Sequence, residues 1–207
     1  MITFWNWFVK ITAWPVQFFC FRTKVKYEDK SVQGRRIKGP AIIMSNHTSV
    51  FDYAVYLFVF WSRTLRFQMA EILYTRPMLG RLLRHLGGIK VDRDAHDFGF
   101  IDRSLTVLDK GGIVGVFPES RLPLPGEERP LEFKISAAYL ALMSGVKIIP
   151  VYTNGSYFQK KRARVVIGKP LYAADLTDEG ADDNQNLLLV SARLREKIIE
   201  LGKLLDE

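Results

Sequence analysis

From Val25 onward the chain alternates short apolar runs with longer stretches of helical spacing. The runs AIIMS (Ala41 to Ser45), LRFQMA (Leu65 to Ala70), GIKV (Gly88 to Val91), GGIVGVF (Gly111 to Phe117), VKIIPVY (Val146 to Tyr152) and ARVVIG (Ala163 to Gly168) predict buried strands. Between and after them, Asp52 to Trp61, Pro77 to Leu86, Phe98 to Asp109, Ile135 to Met143 and about Asn186 to Leu204 predict helices. Strands alternating with helices predict an α/β fold, a single domain with a mixed sheet flanked by helices. Ligands of such sheets collect beyond the carboxyl ends of the strands. The polar segment Asp175 to Asn184 reads as a solvated loop whose acidic residues suit the start of the last helix.

The first twenty-one residues, MITFWNWFVKITAWPVQFFCF, follow a different pattern. They hold three of the four tryptophans and five of the fourteen phenylalanines, with one charge, at Lys10. Interruptions at Asn6, Lys10 and Pro15 argue against a membrane-spanning helix, and the order of charge and apolar residues is not that of a secretory signal. On a helical wheel Asn6, Lys10 and Gln17 share a narrow sector, with Phe4, Phe8, Ile11 and Phe18 mostly opposite. This predicts an amphipathic membrane-anchoring helix or helix pair lying in the interface, broken at Pro15. The alternative is a helix that covers the protein's own core. Arg22, Lys24 and Lys26 form a basic collar suited to the anionic cytoplasmic face of the inner cell membrane. The expected organisation is an anchor over 1–23 and a single α/β domain over 24–207.

At 207 residues the chain is long enough for one well-buried core. A net charge of +8 favours partners that carry phosphate, whether nucleic acid, anionic lipid or a phosphorylated small molecule. The lone Cys20 rules out an intrachain disulfide and four-cysteine zinc sites. His47, His85 and His96 form no metal-binding pair, so no metal is expected. Nucleic-acid binding is disfavoured because the aromatics concentrate at the N-terminus instead of interleaving with basic residues on a folded face.

Four polar blocks fall at predicted strand ends. In NHTSVFD (Asn46 to Asp52), Asp52 can orient the His47 imidazole and leave its other nitrogen free as a base. Ser49 sits on the wrong face of the forming turn to complete a nucleophilic triad, and capping of the helix by Asn, Thr or Ser explains the stretch equally well. GGIKVDRD (Gly87 to Asp94) carries Lys90 and Arg93, suited to phosphate or simply solvated. VFPESR (Val116 to Arg121) presents Glu119, which could orient a hydroxyl, and Arg121, which could hold an anion or pair with Glu119. IIPVY (Ile148 to Tyr152) reads as sheet core.

In this order, NHxxxxD, an arginine after a strand, FPE with a nearby arginine, and IxPV, the blocks resemble the lysophospholipid and glycerol-phosphate acyltransferase family, above all its bacterial 1-acyl-sn-glycerol-3-phosphate acyltransferases. The resemblance covers roughly Pro40 to Tyr152. It implies transfer of an acyl group from coenzyme A or acyl carrier protein to the sn-2 hydroxyl of lysophosphatidic acid, giving phosphatidic acid, without a cofactor. Another lysophospholipid or glycerol-phosphate-like acceptor, a non-catalytic membrane-surface module and a serine hydrolase are the alternatives. By the same resemblance His47 is the general base, Asp52 its orienting partner, Arg93 and Lys90 meet the acceptor phosphate, Glu119 contributes to acceptor binding, and Pro150 lies beside the acyl-donor region. The family's third block commonly reads FPEGTR; here Ser120 replaces the glycine and Arg121 comes one residue early. Ile135, in FKISAA, stands where a small residue is common.

Overall fold

The computed structural model describes residues 1–92, 98–158 and 162–205. Its strands are β1 (Lys24–Tyr27), β2 (Ala41–Ser45), β3 (Leu65–Ala70), β4 (Ile89–Val91), β5 (Ile113–Val116), β6 (Ile148–Thr153) and β7 (Arg164–Ile167). They form one sheet in the order β1-β7-β6-β2-β5-β3-β4. From β6 across to β4 every pairing is parallel, so five carboxyl ends share one rim. β7 pairs antiparallel with β6, and β1 runs parallel to β7.

Alternation along β2 divides the core. Ala41 and Ile43 face the side covered by α3 (Asp52–Val59) and α4 (Pro77–Leu86), while Ile42 and Met44 face α5 (Gly99–Asp109), α6 (Ile135–Ser144) and α7 (Asp183–Lys203). A strand buried on both faces reads as a continuous apolar run, as AIIMS does. At Gly115 the neighbouring strand β5 leaves room for the Phe67 ring, which would lie 2.3 Å from a Cβ there. α7 opens with a capping box between Asp182 and Gln185 and buries Val190, Leu194, Ile198 and Leu201 on one stripe.

The N-terminal segment folds as α1 (Ile2–Thr12), the short α2 (Trp14–Val16) and a π-helical turn over Gln17–Phe21. The break falls at Ala13, two residues before the expected position, because Pro15 sits in the first turn of α2, where its missing N–H costs nothing. The polar stripe of α1 faces the protein: Asn6 is 0% and Lys10 6% exposed. Asn6 Nδ2 donates to Leu86 O at the end of α4 (2.8 Å), and Lys10 Nζ to Trp61 O (3.1 Å) and Arg63 O (2.7 Å) just past α3. Burial lowers the Lys10 ammonium to about 8. The opposite stripe, with Phe4 at 66%, Phe8, Ile11, Phe18 and Phe19 at 71%, faces outward. Val9 and Ala13 pack on the core between the two stripes, so the segment does cover part of the body. Among the described residues no helix is long and apolar enough to cross a membrane.

Part of the expected basic collar is a strand. In β1, Lys24 and Lys26 point outward while Val25 and Tyr27 pack against the core, and Lys26 Nζ donates to Leu204 O. Lysines on the solvent side suit a strand at a sheet edge.

Candidate active site

β2 ends at the middle of the sheet, and the six-residue loop that follows folds around a single carboxylate. Asp52, the first residue of α3, is fully buried. Its Oδ2 lies 2.9 Å from His47 Nδ1 and accepts from the backbone N–H groups of Thr48 (2.7 Å) and Ser49 (2.9 Å). Its Oδ1 accepts from Thr48 Oγ1 (2.9 Å) and from the Tyr157 hydroxyl (2.6 Å). Donors on both oxygens hold an ionised carboxylate, which places the imidazole proton on Nδ1 and leaves Nε2 as the basic nitrogen. Nε2 has no hydrogen-bond partner among the described residues.

The helix-capping alternative does not hold for this loop. Phe51 occupies the N-cap of α3 with no side-chain cap. Asn46 instead reaches across to β6, donating through Nδ2 to Thr153 O (2.9 Å) and accepting at Oδ1 from Thr153 N (2.8 Å). Ser49 Oγ accepts from Phe51 N (3.2 Å), which turns the hydroxyl to local backbone.

The block after β5 supports His47 from the other side. Glu119 is buried, and both its oxygens are taken by backbone donors, Oε1 by His47 N (2.6 Å) and Oε2 by Leu131 N (2.7 Å). Its carboxylate therefore fixes the loop carrying the base. Burial pushes the Glu119 carboxyl up against the opposing pull of those two N–H groups. The His47 ring stacks on Phe117, centroids 4.2 Å apart and planes within 16°. Phe117 in turn packs on Tyr56 and Phe67, so the imidazole rests on the core. Ser120 adopts φ 61°. A left-handed residue is needed there, which explains a glycine preference at that point of the block.

Arg121 does not pair with Glu119. Its guanidinium makes a two-pronged contact with Glu127, each bond 2.7 Å. That contact, with the Leu124 N–H, holds Glu127 at about 2. Lys90 is half-exposed on β4, with its Nζ 3.8 Å from Asp92. Arg93 lies outside the described residues. Pro150 sits inside β6 in register with Met44, and a Cβ on Gly168 would meet its ring at 2.8 Å. It shares a strand face with Ile148 and Tyr152, so it points to the α7 side of the sheet, away from α3.

The structure thus brings His47, Asp52 and Glu119 into one unit and gives Lys90 and Arg121 ion partners of their own. Asn46, Phe117, Thr153 and Tyr157 belong to the same unit; the sequence offers Asn46 only as a helix cap and assigns no role to the other three. Tyr157 lies 105 residues from Asp52, and no local pattern links the two. Among the described residues no three His, Cys, Asp or Glu side chains converge as a metal site. Two clefts open beside the N-terminal segment. One, about 610 Å³, is lined by Trp14, Phe18, Arg22, Arg35 and Arg162 among others; the second, about 570 Å³, is the more apolar, with Trp7, Phe58 and Trp61.

Comparison with known proteins places the chain among relatives of one family. The family described as Acyltransferase matches residues 5–154. A Bacillus subtilis (strain 168) protein named 1-acyl-sn-glycerol-3-phosphate acyltransferase is 26% identical over 148 residues, covering 69% of this chain and 71% of that one. The human 1-acyl-sn-glycerol-3-phosphate acyltransferase beta is 26% identical over 161 residues, 75% of this chain, which spans only 56% of the human protein's length. The crystal structure of the 1-acyl-sn-glycerophosphate acyltransferase PlsC from Thermotoga maritima has the same fold, with TM-score 0.62 over 97% of this chain and 95% of that one at 17% identity.

Proposed function

The chain belongs to the acyltransferase family, and on that premise we propose that it moves a fatty acyl group from a coenzyme A or acyl carrier protein thioester to the sn-2 hydroxyl of 1-acyl-glycerol-3-phosphate, forming phosphatidic acid. The observation that carries the reading is the His47–Asp52 contact of 2.9 Å at the end of a central strand, with Nε2 open. The names of the two curated relatives support the acceptor.

In this mechanism His47 Nε2 takes the proton of the acceptor hydroxyl as its oxygen attacks the thioester carbonyl carbon. The C–S bond then breaks, and the imidazolium returns its proton to the departing sulfur, so an ester and a free thiol leave a neutral His47. Asp52 stabilises the imidazolium between the two transfers. A positioned base supplies on the order of 10² to 10⁴ in rate, and holding the two substrates together supplies much of the rest. Since a thioester is already activated, no acyl-enzyme is required.

Lys90 and Arg93 are proposed to receive the acceptor phosphate. β4 stands three strands from β2 on the shared rim, about 14 Å at ordinary strand spacing. That leaves room for a glycerol backbone between base and phosphate. The outward aromatic stripe of the N-terminal segment, with arginines at its end, supports seating on the anionic cytoplasmic face of a bacterial cell membrane, where acceptor and product reside.

The test is an acyl-transfer assay with a panel of lysolipids and both donor types. Phosphatidic acid formation from lysophosphatidate should exceed that from other acceptors. His47→Ala should lose nearly all transfer, while Ser49→Ala keeps most of it and shows no acyl adduct by mass spectrometry. A Ser49 adduct that forms and decays at the turnover rate would replace this mechanism with a covalent one.

A further inference from the structure

We propose that Tyr157 is a positioning residue for acyl transfer, its hydroxyl fixing the Asp52 carboxylate, and through it the His47 imidazole, against the end of β6. The proposal rests on the His47–Asp52 dyad reading above.

Three of the donors to Asp52 besides the imidazole come from its own loop, the two backbone N–H groups and Thr48 Oγ1. Those contacts would survive if the loop tilted as a body. Tyr157 is the one donor to this carboxylate, among the described residues, that comes from outside the loop, and its 2.6 Å bond is the shortest of the five. The hydroxyl is itself oriented. With its proton given to Asp52 it accepts from Thr153 Oγ1 (3.0 Å), which in turn accepts from Gly155 N (3.3 Å). The line Thr153, Tyr157, Asp52, His47 is therefore a directed chain from a fully buried strand residue to the imidazole.

The turn after β6 is shaped for this contact. Tyr157 N donates to Gly155 O (2.7 Å), and Gly155 has φ 64°. A Cβ at Gly155 would lie 2.5 Å from Thr48 Oγ1, so only glycine lets the turn close onto the loop. The phenol stays protonated, since burial first and the Asp52 charge second push it well above the ordinary tyrosine range. The other titratable groups around the carboxylate are His47, Glu119 across the His47 backbone, and Tyr56 from α3. None of them ties the carboxylate to β6; Asn46 fastens the start of the loop to Thr153 but does not touch Asp52. On the far side the Tyr157 ring packs edge-on to Phe21, centroids 5.5 Å apart. A phenylalanine can keep that packing without the hydroxyl.

The experiment compares Tyr157→Phe, Asp52→Asn, the double variant and His47→Ala in the full chain, with lysophosphatidate in vesicles and acyl-thioester donors. Tyr157→Phe should lower kcat about tenfold by loosening the base, with KM for both substrates within about twofold. Loss of a donor to the charged carboxylate should also move the acid limb of the kcat profile to higher pH. Because Tyr157 acts through Asp52, adding Tyr157→Phe to Asp52→Asn should cost less than about twofold more. Unchanged kcat and acid limb in folded Tyr157→Phe, or fully additive losses in the double variant, would overturn the assignment. Should Tyr157→Phe not fold, 3-fluorotyrosine at position 157, a stronger donor of the same shape, should shift the limb to lower pH, and an unmoved limb overturns the assignment equally. Transfer retained by His47→Ala would sink the dyad reading itself, a result distinct from a silent Tyr157.

Discussion

Two helices of this protein are amphipathic in opposite senses. α7 turns Val190, Leu194, Ile198 and Leu201 inward, whereas α1 turns Asn6 and Lys10 inward and Phe4, Phe8 and Ile11 outward. A helix's stripe identifies two faces, but the surface it meets decides which face is buried. α7 meets an apolar layer built from α6 and β6. α1 lies across the ends of α4 and α3, where carbonyls have run out of helical N–H partners. An amide and an ammonium satisfy those carbonyls, and a cation also suits the negative end of a helix dipole. With its polar side spent on the protein, α1 presents an apolar side that the fold itself does not need.

The strongest way to break this comparison is to truncate each apolar face in turn. Leu194→Ala should destabilise the fold by about 2 to 5 kcal/mol in urea denaturation. Phe4→Ser and Phe19→Ser together should cost less than about 1 kcal/mol of folding stability. The same pair should weaken partition onto anionic vesicles by about 3 kcal/mol or more, as two rings no longer leave water. Equal losses of folding stability from both faces would mean that the outer face of the N-terminal segment is ordinary core.

A mid-sized effect belongs to the inward side of α1. Lys10→Met should cost about 1 to 3 kcal/mol by stranding the carbonyls of Trp61 and Arg63. Its sign with pH is diagnostic. The folded-state value near 8 lies below the unfolded 10.5, so between those limits the unfolded chain binds more protons and stability rises with pH. Wild type should therefore gain on Lys10→Met as pH climbs from about 8 toward 10.5. A gap that stays flat or narrows over that window would mean that Lys10 is solvated.

The smallest expected effect is in the body. Ser120→Gly relieves a left-handed serine and should raise stability by at most about 1 kcal/mol, part of the relief being offset by glycine's greater chain entropy. Differential scanning calorimetry resolves that shift, and a lower Tm would show that the serine side chain contributes more than its backbone costs.

What the sequence made legible follows the same division. β2, β3 and α4 fall where the apolar pattern puts them, because each is bounded by a change of period or by proline and glycine. β1 escaped detection because KVKY offers only two apolar positions between lysines. The His47–Asp52 pair was legible because five residues of local chain suffice to join it. The supports of that pair were not. Glu119 joins the His47 backbone across 72 residues and Tyr157 joins Asp52 across 105, distances that only the strand order closes. The two backbone N–H groups that meet the Glu119 oxygens are likewise invisible in the sequence.

The reversal between β6 and β7 has a consequence for how encounters occur. β7 starts beside the end of β6, and β1, parallel to β7, starts there too, with Lys24 opposite Arg164. The residues just before β1 thus arrive at the same rim as His47, where Phe21 touches Tyr157. If that segment lies on a lipid surface as proposed, the His47 imidazole is held at one fixed height above the acyl chains. Collision with an amphiphilic acceptor becomes a search in two dimensions, so turnover should follow the acceptor's mole fraction in the surface and ignore its total concentration in the tube.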